Sequence, residues 1–388
     1  MKTTASAAYA DSKPHYELLD GLRGVAALVV VWYHVFEGFA TCAMDQRVNH
    51  GHLAVDFFFM LSGFVVAYAY DDRWSTSLTV KGFVRRRLIR LHPMVVMGAL
   101  LGCLTFCLQG GVRWDGTPVG TGALLVALVC SALLLPSLPG SVGEVRGNGE
   151  MFPLNGPSWS LFYEYVGNAL YALVLRRLGT RVLAGVVVLC GAGLVWVAAG
   201  NFSGGCHLGL GWSLGGLNVP GGLLRLLFAF GGGLLLSRVF RQRRVRGAFW
   251  LCSSVLVGLL AVPYVGGDGS APSVLDGLYE VACVAVAFPL VVWAAASGRT
   301  TDAFSRRVCR FLGDISFPLY IVHYPFMYLF FDHVGLMKPA EEKLTFAESW
   351  PWALAVFAGS VALAWLLLKC YDEPVRRWLT RHTKWGKA

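Results

Sequence analysis

The fold class is decided by one apolar stretch, Leu19-Asp-Gly-Leu-Arg23-Gly-Val-Ala-Ala-Leu-Val-Val-Val-Trp-Tyr-His34, which carries an arginine near its start and a histidine at its end. An ionisable side chain inside a membrane is costly unless it has a partner, so it marks a functional site by default. Arg23 and His34 are eleven residues apart, almost three helical turns, so they share one helical face about 16 Å apart along the axis. The stretch therefore predicts a first membrane helix with a polar group at each end of one face.

The whole chain has the composition of a membrane protein. Of its 388 residues, 56% are hydrophobic and 14% are charged, whereas about 25% of residues are charged in a soluble domain. Residues 1–16 are polar and contain no apolar core of a signal peptide, so the first helix is expected to act as its own insertion signal. We predict an all-α, polytopic membrane helix bundle.

Loop charges set the number of crossings. Eleven apolar stretches are long enough to cross a membrane. Lysine and arginine concentrate in five segments that the positive-inside rule assigns to the cytoplasm: residues 71–90, 176–181, 238–246, 299–310 and the tail from Lys369. An even number of crossings must then separate the first two segments, although three apolar stretches lie between them. We assign residues 121–137 to a re-entrant or interfacial segment on the outer face, because a Gly- and Pro-rich stretch follows. About ten transmembrane helices remain.

This topology divides the chain into a cytoplasmic tail (residues 1–18), a membrane domain (residues 19–371) and a basic cytoplasmic tail (residues 372–388). We expect a multi-pass protein of the plasma membrane with both termini in the cytoplasm. The net charge of +10 follows from basic loops beside an anionic leaflet, so no nucleic-acid partner is expected. No His or Cys cluster has the spacing of metal ligands, so no metal site is expected.

Two carboxylates stand early in apolar stretches that enter from the outside. Asp56 lies in Leu53-Ala-Val-Asp-Phe-Phe-Phe and Glu164 in Trp159-Ser-Leu-Phe-Tyr-Glu. Since His34 also falls in the outer half of the membrane, the sequence predicts the three side chains at one depth, as an acid/base constellation. Each carboxylate could instead bridge helices without taking part in chemistry.

A late stretch adds a second buried histidine. Tyr320, His323 and Tyr324 are spaced to lie on one helical stripe. Such a stripe is usually packing, although a histidine within it favours a site. Pro318 and Pro325 would kink the helix and free backbone carbonyls, which suits a cavity wall.

Arginines crowd the segment before Pro93, where four of them fall within residues 85–90. They can be read as charges that only set the topology. They can also be read as a clamp for a phosphorylated ligand, because the planar guanidinium matches phosphate oxygens.

Taken together, these motifs resemble acyltransferase family 3, the integral-membrane O-acyltransferases that modify surface carbohydrates and some secreted small molecules. The resemblance extends from about Tyr16 to Trp378 and rests on five motifs in order: Leu19-Asp20-Gly21-Leu22-Arg23-Gly24 with His34; Asp56-Phe57-Phe58-Phe59 before Ser62-Gly63-Phe64; Arg87-Leu-Ile-Arg90 before Pro93; Trp159-Ser160-Leu161 with Glu164; and Leu312-Gly313-Asp314-Ile-Ser316-Phe-Pro-Leu-Tyr320-Ile-Val-His323. His92 departs from the pattern, since an aromatic residue such as tyrosine is common there.

The resemblance implies acyl-CoA, most often acetyl-CoA, as a cytoplasmic co-substrate, and a hydroxyl of a carbohydrate or small molecule on the outer side as acceptor. No bound cofactor is implied. Because only about seventeen residues follow Tyr371, a stand-alone form without an extracellular hydrolase-like domain is expected.

Residue by residue, the resemblance makes His34 the essential first-helix histidine, acting either as general base or as acyl carrier. The remaining assignments fall into three groups: Asp56, Glu164 and His323 as further catalytic groups; Arg23, Arg86, Arg87 and Arg90 for acyl-CoA; and Asp20, Trp159, Ser160 and Tyr320 in support.

A proton-coupled secondary transporter is the alternative, because proton relays also need intramembrane His, Asp and Glu. Transporters of that kind usually contain an internal repeat with paired broken helices. The His34 segment has no counterpart in the second half of the chain, which favours the enzyme. A receptor or scaffold would leave the buried charges unexplained.

Overall fold

The computed structural model describes residues 16–42, 46–264, 273–300 and 302–382. Within these ranges the chain is helical, and its extended pairing is limited to isolated bridges. Two π-helical turns, Cys283–Ala287 and Leu368–Asp372, join α9 to α10 and α12 to α13. The helices are α1 Glu17–Glu37, α2 Ala54–Tyr70, α3 Val80–Leu108, α4 Thr121–Ala132, α5 Ser158–Leu173, α6 Thr180–Ala199, α7 Asn218–Val239, α8 Ala248–Ala261, α9 Val274–Ala282, α10 Phe288–Ser297, α11 Ala303–Val334, α12 Phe346–Leu367 and α13 Glu373–His382.

The all-α membrane class is confirmed, but the count of about ten crossings is not. Seven helical segments of the described chain are long and apolar enough to cross a membrane: Glu17–Glu37, His50–Arg73, Val80–Leu108, Thr180–Ala199, Asn218–Val239, Val274–Ser297 and Phe346–His382. Helices α5 and α8 have 16 and 14 residues and are therefore about 24 and 21 Å long. Helix α11 has 32 residues but carries arginines in its first turns.

Helix α4 belongs to the segment predicted not to cross. It has 12 residues, about 18 Å, which is short for a hydrocarbon core of about 30 Å. The Trp114 N–H donates to the Arg146 carbonyl at 3.1 Å. The chain therefore enters and leaves the α4 region at the same end of the bundle, as expected of a re-entrant or interfacial segment.

The basic loops gather at one end, here called the basic end. Arg238 bonds both to Asp71, at 3.2 Å, and to the Leu178 carbonyl, at 2.8 Å. Val245 and Gly298 form a bridge. The opposite end, here called the loop end, carries residues 133–157 and 201–217, joined where the Met151 N–H donates to the Trp212 carbonyl at 3.0 Å. Helix α1 runs from the basic end to the loop end.

Small residues let the helices that hold the site approach closely. A Cβ on Gly24 would lie 2.3 Å from the Leu312 carbonyl oxygen, so this glycine allows α1 to contact the backbone of α11. A Cβ on Gly63 of α2 would lie 2.1 Å from the Phe230 carbonyl oxygen on α7. Close packing at small residues is the usual way in which membrane helices associate.

Helix α11 stays continuous through both of its prolines. Pro325 has no N–H, so the carbonyl of Ile321, four residues earlier, loses its helical partner. Asn155 supplies one, because its Nδ2 donates to that carbonyl at 2.9 Å. The loop before α5 thus completes the helix at the level of Tyr324, where a cavity begins.

Candidate active site

His34 lies near the loop end of α1 and pairs with a carboxylate of the same helix. Its Nδ1 is 2.6 Å from Oε2 of Glu37, one turn further on. A carboxylate accepts hydrogen bonds, so this contact places a proton on Nδ1 and leaves Nε2 of a neutral ring as the base. Nε2 is not buried, and His34 has no other hydrogen bond in the described chain. The pair repeats the histidine–carboxylate half of a catalytic triad.

The side chain of His34 lines a cavity of about 390 Å³, here called the chamber. The chamber lies between α1, α5, α7 and α11 and under the loops of the loop end. Aromatic side chains form part of its walls, among them Tyr33, Trp114, Trp159, Trp212, Tyr324 and Tyr328. Polar side chains also line it: His34, Glu37, Gln46, Asn49, His52, Asn148, Glu150, His207 and Arg225. A cavity that combines aromatic walls with converging polar groups is typical of a ligand site.

His323 stacks behind His34 rather than lining the chamber. The two ring centres are 5.5 Å apart. His323 is fully buried, and its Nδ1 lies 3.0 Å from the Leu319 carbonyl, to which it donates. Its Nε2 is buried and has no hydrogen-bond partner. Tyr324, on the same stripe, does line the chamber, with its ring 4.7 Å from that of His34.

Asp56 is held by an arginine. Arg225 of α7 contacts both carboxylate oxygens, at 3.1 and 2.6 Å, and Asp56 is fully buried. The same guanidinium donates to the Leu210 carbonyl and faces the ring of Trp159, which lines the chamber. Asp56 therefore supports the chamber wall through Arg225 and makes no hydrogen bond to His34.

Three arginines of the sequence motifs line a second, smaller cavity of about 90 Å³, here called the arginine cavity. Arg23, Arg87 and Arg90 all reach it, as does Asp20. Arg23 is 3.1 Å from Asp20 and donates to Ser316 at 2.8 Å. Arg90 is exposed and has no hydrogen bond or ion pair in the described residues. Three arginines predicted from two separate helices thus meet at one cavity.

Glu164 lies in the arginine cavity, not at His34. Its Oε1 accepts from Arg87 at 2.6 Å and from Ser62 at 2.9 Å. The single-depth constellation of His34, Asp56 and Glu164 is therefore not what the structure contains. The reason is electrostatic, since each carboxylate forms an ion pair with an arginine of a neighbouring helix: Asp56 with Arg225 and Glu164 with Arg87. Arg86 does not line the cavity.

The two cavities meet at Tyr320, which lines both. Its hydroxyl is 2.7 Å from Oγ of Ser160. Val55 is the other shared residue. A path from the arginine cavity to His34 therefore passes between Tyr320 and Val55.

Sequence reasoning missed three carboxylate or guanidinium partners: Glu37, Arg225 and Glu280. Glu37 carried a signal, because it stands at i+3 from His34 in the same helix. Arg225 and Glu280 carried none beyond being charged residues inside apolar stretches. Glu280 is fully buried on α9 and accepts from His50 Nδ1, 3.0 Å away.

Among the residues described, no group of three His, Cys, Asp or Glu side chains has the geometry of a metal site. The site contains a histidine, His34, beside a carboxylate near the loop end of α1, and arginines from α1 and α3 toward the basic end. This set can bind anions at one end and accept a proton at the other.

Comparisons with known proteins agree with this arrangement. A family model described as an acyltransferase domain matches residues 16–369. The acyltransferase MdmB of Streptomyces mycarofaciens is 28% identical over 94% of this chain and 92% of its own length. Protein 2 in the picA locus of Rhizobium radiobacter is 38% identical over 48% of this chain and 95% of its own. A Staphylococcus aureus (strain COL) protein, provisionally named an O-acetyltransferase, is 34% identical over 24% of this chain and 14% of its own. No solved structure gives a significant match.

The helical fold and the site define a membrane protein built for group transfer. The match over nearly the whole chain makes the assignment specific: the chain belongs to the acyltransferase family that the motifs resembled, and it is an enzyme that transfers acyl groups.

Proposed function

We propose that the protein is an O-acyltransferase, and specifically an O-acetyltransferase, of the plasma membrane. It takes the acyl group from cytoplasmic acyl-CoA and transfers it to a hydroxyl of a surface carbohydrate or secreted small molecule on the outer side. The basic end faces the cytoplasm in this proposal, because positive loops favour that side.

One observation carries the proposal: helix α1 presents Arg23 to the arginine cavity and His34 to the chamber, about 16 Å apart along its axis. The phosphopantetheine arm of acyl-CoA has about 13 bonds between phosphorus and sulfur, which extend to roughly 16 Å at ~1.2 Å per bond. A donor whose phosphate is held by Arg23, Arg87 and Arg90 would therefore bring its thioester to His34.

A further cavity, of about 430 Å³, adjoins the arginine cavity and is assigned to the nucleotide part of the donor because of that position. Its lining is mixed in charge, with arginines (Arg23, Arg90, Arg310 and Arg376) beside carboxylates (Glu17, Asp20, Asp314, Asp372 and Glu373). Arg90 and Arg310 make no hydrogen bond or ion pair in the described chain, so their donors remain available for phosphate oxygens.

At the other end, His34 acts on the acceptor. As general base, Nε2 takes the hydroxyl proton while the hydroxyl oxygen attacks the thioester carbonyl; the C–S bond then breaks, and Nε2 returns the proton to the sulfur, so that CoA leaves as a thiol. As acyl carrier, Nε2 attacks the carbonyl, the C–S bond breaks and CoA leaves as a thiolate; the acceptor hydroxyl oxygen then attacks the acyl group, the N–C bond breaks, and the hydroxyl proton passes to the thiolate. In both cases Glu37 holds the ring and stabilises it when it is positively charged.

The experiment measures transfer with purified enzyme in detergent. Labelled acetyl-CoA is expected to bind, and labelled ester is expected on surface glycans or secreted metabolites of the source organism, identified by mass spectrometry with and without the gene. Absence of acetyl-CoA binding would contradict the proposal and favour the proton-coupled transporter.

A labelling experiment tests the orientation separately. Thiol reagents that cannot cross the membrane should reach single cysteines placed near Gly116 and Gly147 from the outer side. Since residues 113–117 and 146–147 lie at the same end, labelling of either site from the cytoplasm only would reverse the proposed orientation.

A further inference from the structure

A second histidine–glutamate pair lines the chamber. His52, just before α2, has its Nε2 3.1 Å from Oε1 of Glu280 on α9. Glu280 is fully buried, and its other oxygen accepts from the Leu208 N–H at 2.5 Å. A buried carboxylate is costly unless its oxygens are satisfied. His50 and the Leu208 N–H meet that requirement, and the carboxylate lies beside Nε2 of His52.

The other ring nitrogen of His52, Nδ1, is available to a ligand. Nε2 is buried and faces the Glu280 carboxylate at 3.1 Å, outside hydrogen-bond geometry. A carboxylate favours the proton on the nitrogen nearest to it, and the tautomer with the proton on Nε2 has its lone pair on Nδ1. Nδ1 is not buried and has no hydrogen-bond partner in the described chain, and the side chain is 15% exposed and lines the chamber. Arg225 also donates to the His52 carbonyl at 3.2 Å, which holds the backbone in place.

A hydrogen-bond donor stands beside this acceptor. The ring centres of His52 and His207 are 5.9 Å apart. His207 accepts from the Gly209 N–H on its Nδ1 at 3.0 Å, so the proton of its neutral ring is on Nε2, which is neither buried nor bonded. Burial lowers the pKa of this loop histidine to about 4, which keeps the ring neutral at physiological pH. One wall of the chamber therefore offers an acceptor next to a donor.

The same wall is close to the reacting histidine. The ring of Tyr33 lies 4.9 Å from that of His34 and 6.0 Å from that of His52, so the two histidine–glutamate pairs flank one aromatic ring. A hydroxyl group both donates and accepts one hydrogen bond, and an adjacent acceptor and donor match it.

We propose that His52 and His207 bind a second hydroxyl of the acceptor while the reacting hydroxyl lies at His34, and that Glu280 is the positioning residue for His52. The proposal rests on the proposed function, and it makes the enzyme selective for acceptors that carry more than one hydroxyl. His52 accepts the proton of the bound hydroxyl in a hydrogen bond, and His207 donates to its oxygen.

His50 provides the matched control. It donates to the same Glu280 oxygen through Nδ1, at 3.0 Å, but it is fully buried and does not line the chamber. If these histidines only fasten α9 to the loop end, His50 and His52 should behave alike on substitution. If His52 binds the acceptor, only His52 should affect selectivity.

The test uses two acceptor probes of similar shape, methyl β-D-glucopyranoside and cyclohexylmethanol. Both carry a hydroxymethyl group on a six-membered ring, and only the first has ring hydroxyls. The purified enzyme is given labelled acetyl-CoA and each probe, and kcat/KM for transfer is measured. We expect the wild-type enzyme to prefer the glucoside by about tenfold or more, the value of one good hydrogen bond. His52→Ala should bring that ratio close to one, whereas His50→Asn should keep it.

Two conservative variants separate binding from packing. His52→Asn keeps a polar atom near the place of Nδ1, and His52→Gln keeps one near the place of Nε2, against Glu280. We expect the asparagine variant to retain more of the preference than the glutamine variant, at equal thermal stability in detergent.

Several results would overturn the inference. They are an unchanged ratio in His52→Ala, an equal fall for both probes, a matching loss in His50→Asn, and a wild-type enzyme without preference that still consumes acetyl-CoA through His34. The last result would leave the proposed function intact. An enzyme that consumes no acetyl-CoA would overturn the proposed function and this inference with it.

Discussion

The arginine cavity and the chamber hold charge in opposite ways. In the arginine cavity, of about 90 Å³, carboxylates keep two guanidinium groups in place, with Asp20 beside Arg23 and Glu164 beside Arg87. In the chamber, of about 390 Å³, carboxylates keep imidazole rings in place, as Glu37 does for His34. Carboxylates thus hold positively charged arginines at one end of α1 and orient a histidine base at the other. This separation is what a donor with phosphates and an acceptor with a hydroxyl would each require.

The largest effect is expected at His34. His34→Ala should abolish acyl transfer, because proton transfer or covalent catalysis contributes roughly 10²- to 10⁴-fold. Binding of acetyl-CoA, measured by calorimetry, should be retained because the arginine cavity is untouched. His34→Gln keeps size and hydrogen bonding but not basicity, so it should be equally inactive.

Substantial transfer by the His34→Gln variant would contradict the division of roles between the two cavities. His34 would then position the substrates without reacting, and the acid/base role would have to move to another group such as His323. Loss of acetyl-CoA binding in His34→Ala would mean that the cavities act as one site.

A smaller loss is expected at Glu37. Glu37→Gln should lower kcat by roughly a hundredfold, at the lower end of the range for proton transfer, because the amide can direct its NH₂ group toward Nδ1 and favour the wrong tautomer. The KM for acetyl-CoA should change little. Asp56→Asn is the informative comparison, since it should lower thermal stability by leaving Arg225 partly unpaired. If Asp56→Asn lost activity at normal stability and Glu37→Gln did not, Asp56 would be the partner of His34.

Composition and periodicity predicted the first helix and the all-α membrane class, and the family resemblance implied a shared role for Arg23, Arg87 and Arg90, which line one cavity. It could not predict where Glu164 lies, since depth alone does not say which neighbouring helix a side chain faces. The partner of Asp56 was missed in the same way, because Arg225 is 169 residues away in the sequence. The pairing of Glu37 with His34 could have been predicted, because the two residues are one helical turn apart.

The count of crossings was a harder problem for a physical reason. Apolar stretches show that a segment avoids water, but length decides whether it crosses. Helices α4, α5 and α8 are 12, 16 and 14 residues long, so they meet the first condition without the length that a straight crossing needs. The hydrogen bond between Trp114 and Arg146 supplies information that no single stretch contains.

Effects of roughly 10- to 100-fold on donor binding are expected in the arginine cavity. Arg87→Ala and Arg90→Ala should each weaken acetyl-CoA binding, because a charge-assisted contact to phosphate is worth about 1.5–3 kcal/mol. Lysine at either position should restore only part of the affinity, since it has the charge without the planar fork. Affinities equal to that of the parent protein in both alanine variants would make these arginines topological charges only.

Pairing distinguishes the two arginines further. Arg90 has no partner in the described chain, so Arg90→Ala should leave thermal stability unchanged. Arg87→Ala should lower it, because Glu164 then keeps only the Ser62 hydroxyl. The double variant Arg87→Ala, Glu164→Gln should regain stability without regaining affinity for acetyl-CoA. Recovery of affinity in the double variant would mean that Glu164 repulsion, not a lost phosphate contact, weakened binding.

The smallest effect is expected at the junction of the two cavities. Tyr320→Phe removes the hydroxyl that meets Ser160 at 2.7 Å, but Ser160 still donates to the Pro157 carbonyl at 2.9 Å, so no buried group loses all its partners. The free energy of unfolding should fall by about 0.5–1.5 kcal/mol, the net value of one hydrogen bond. Transfer should slow by about tenfold or less, because the hydroxyl bonds to Ser160 and not to His34, while acetyl-CoA affinity stays the same. A loss of transfer as complete as that of His34→Ala, with donor binding intact, would place the tyrosine hydroxyl at the reacting thioester. The boundary between the arginine cavity and the chamber would then be the centre of the reaction, and His34 would lie beyond it on the acceptor side.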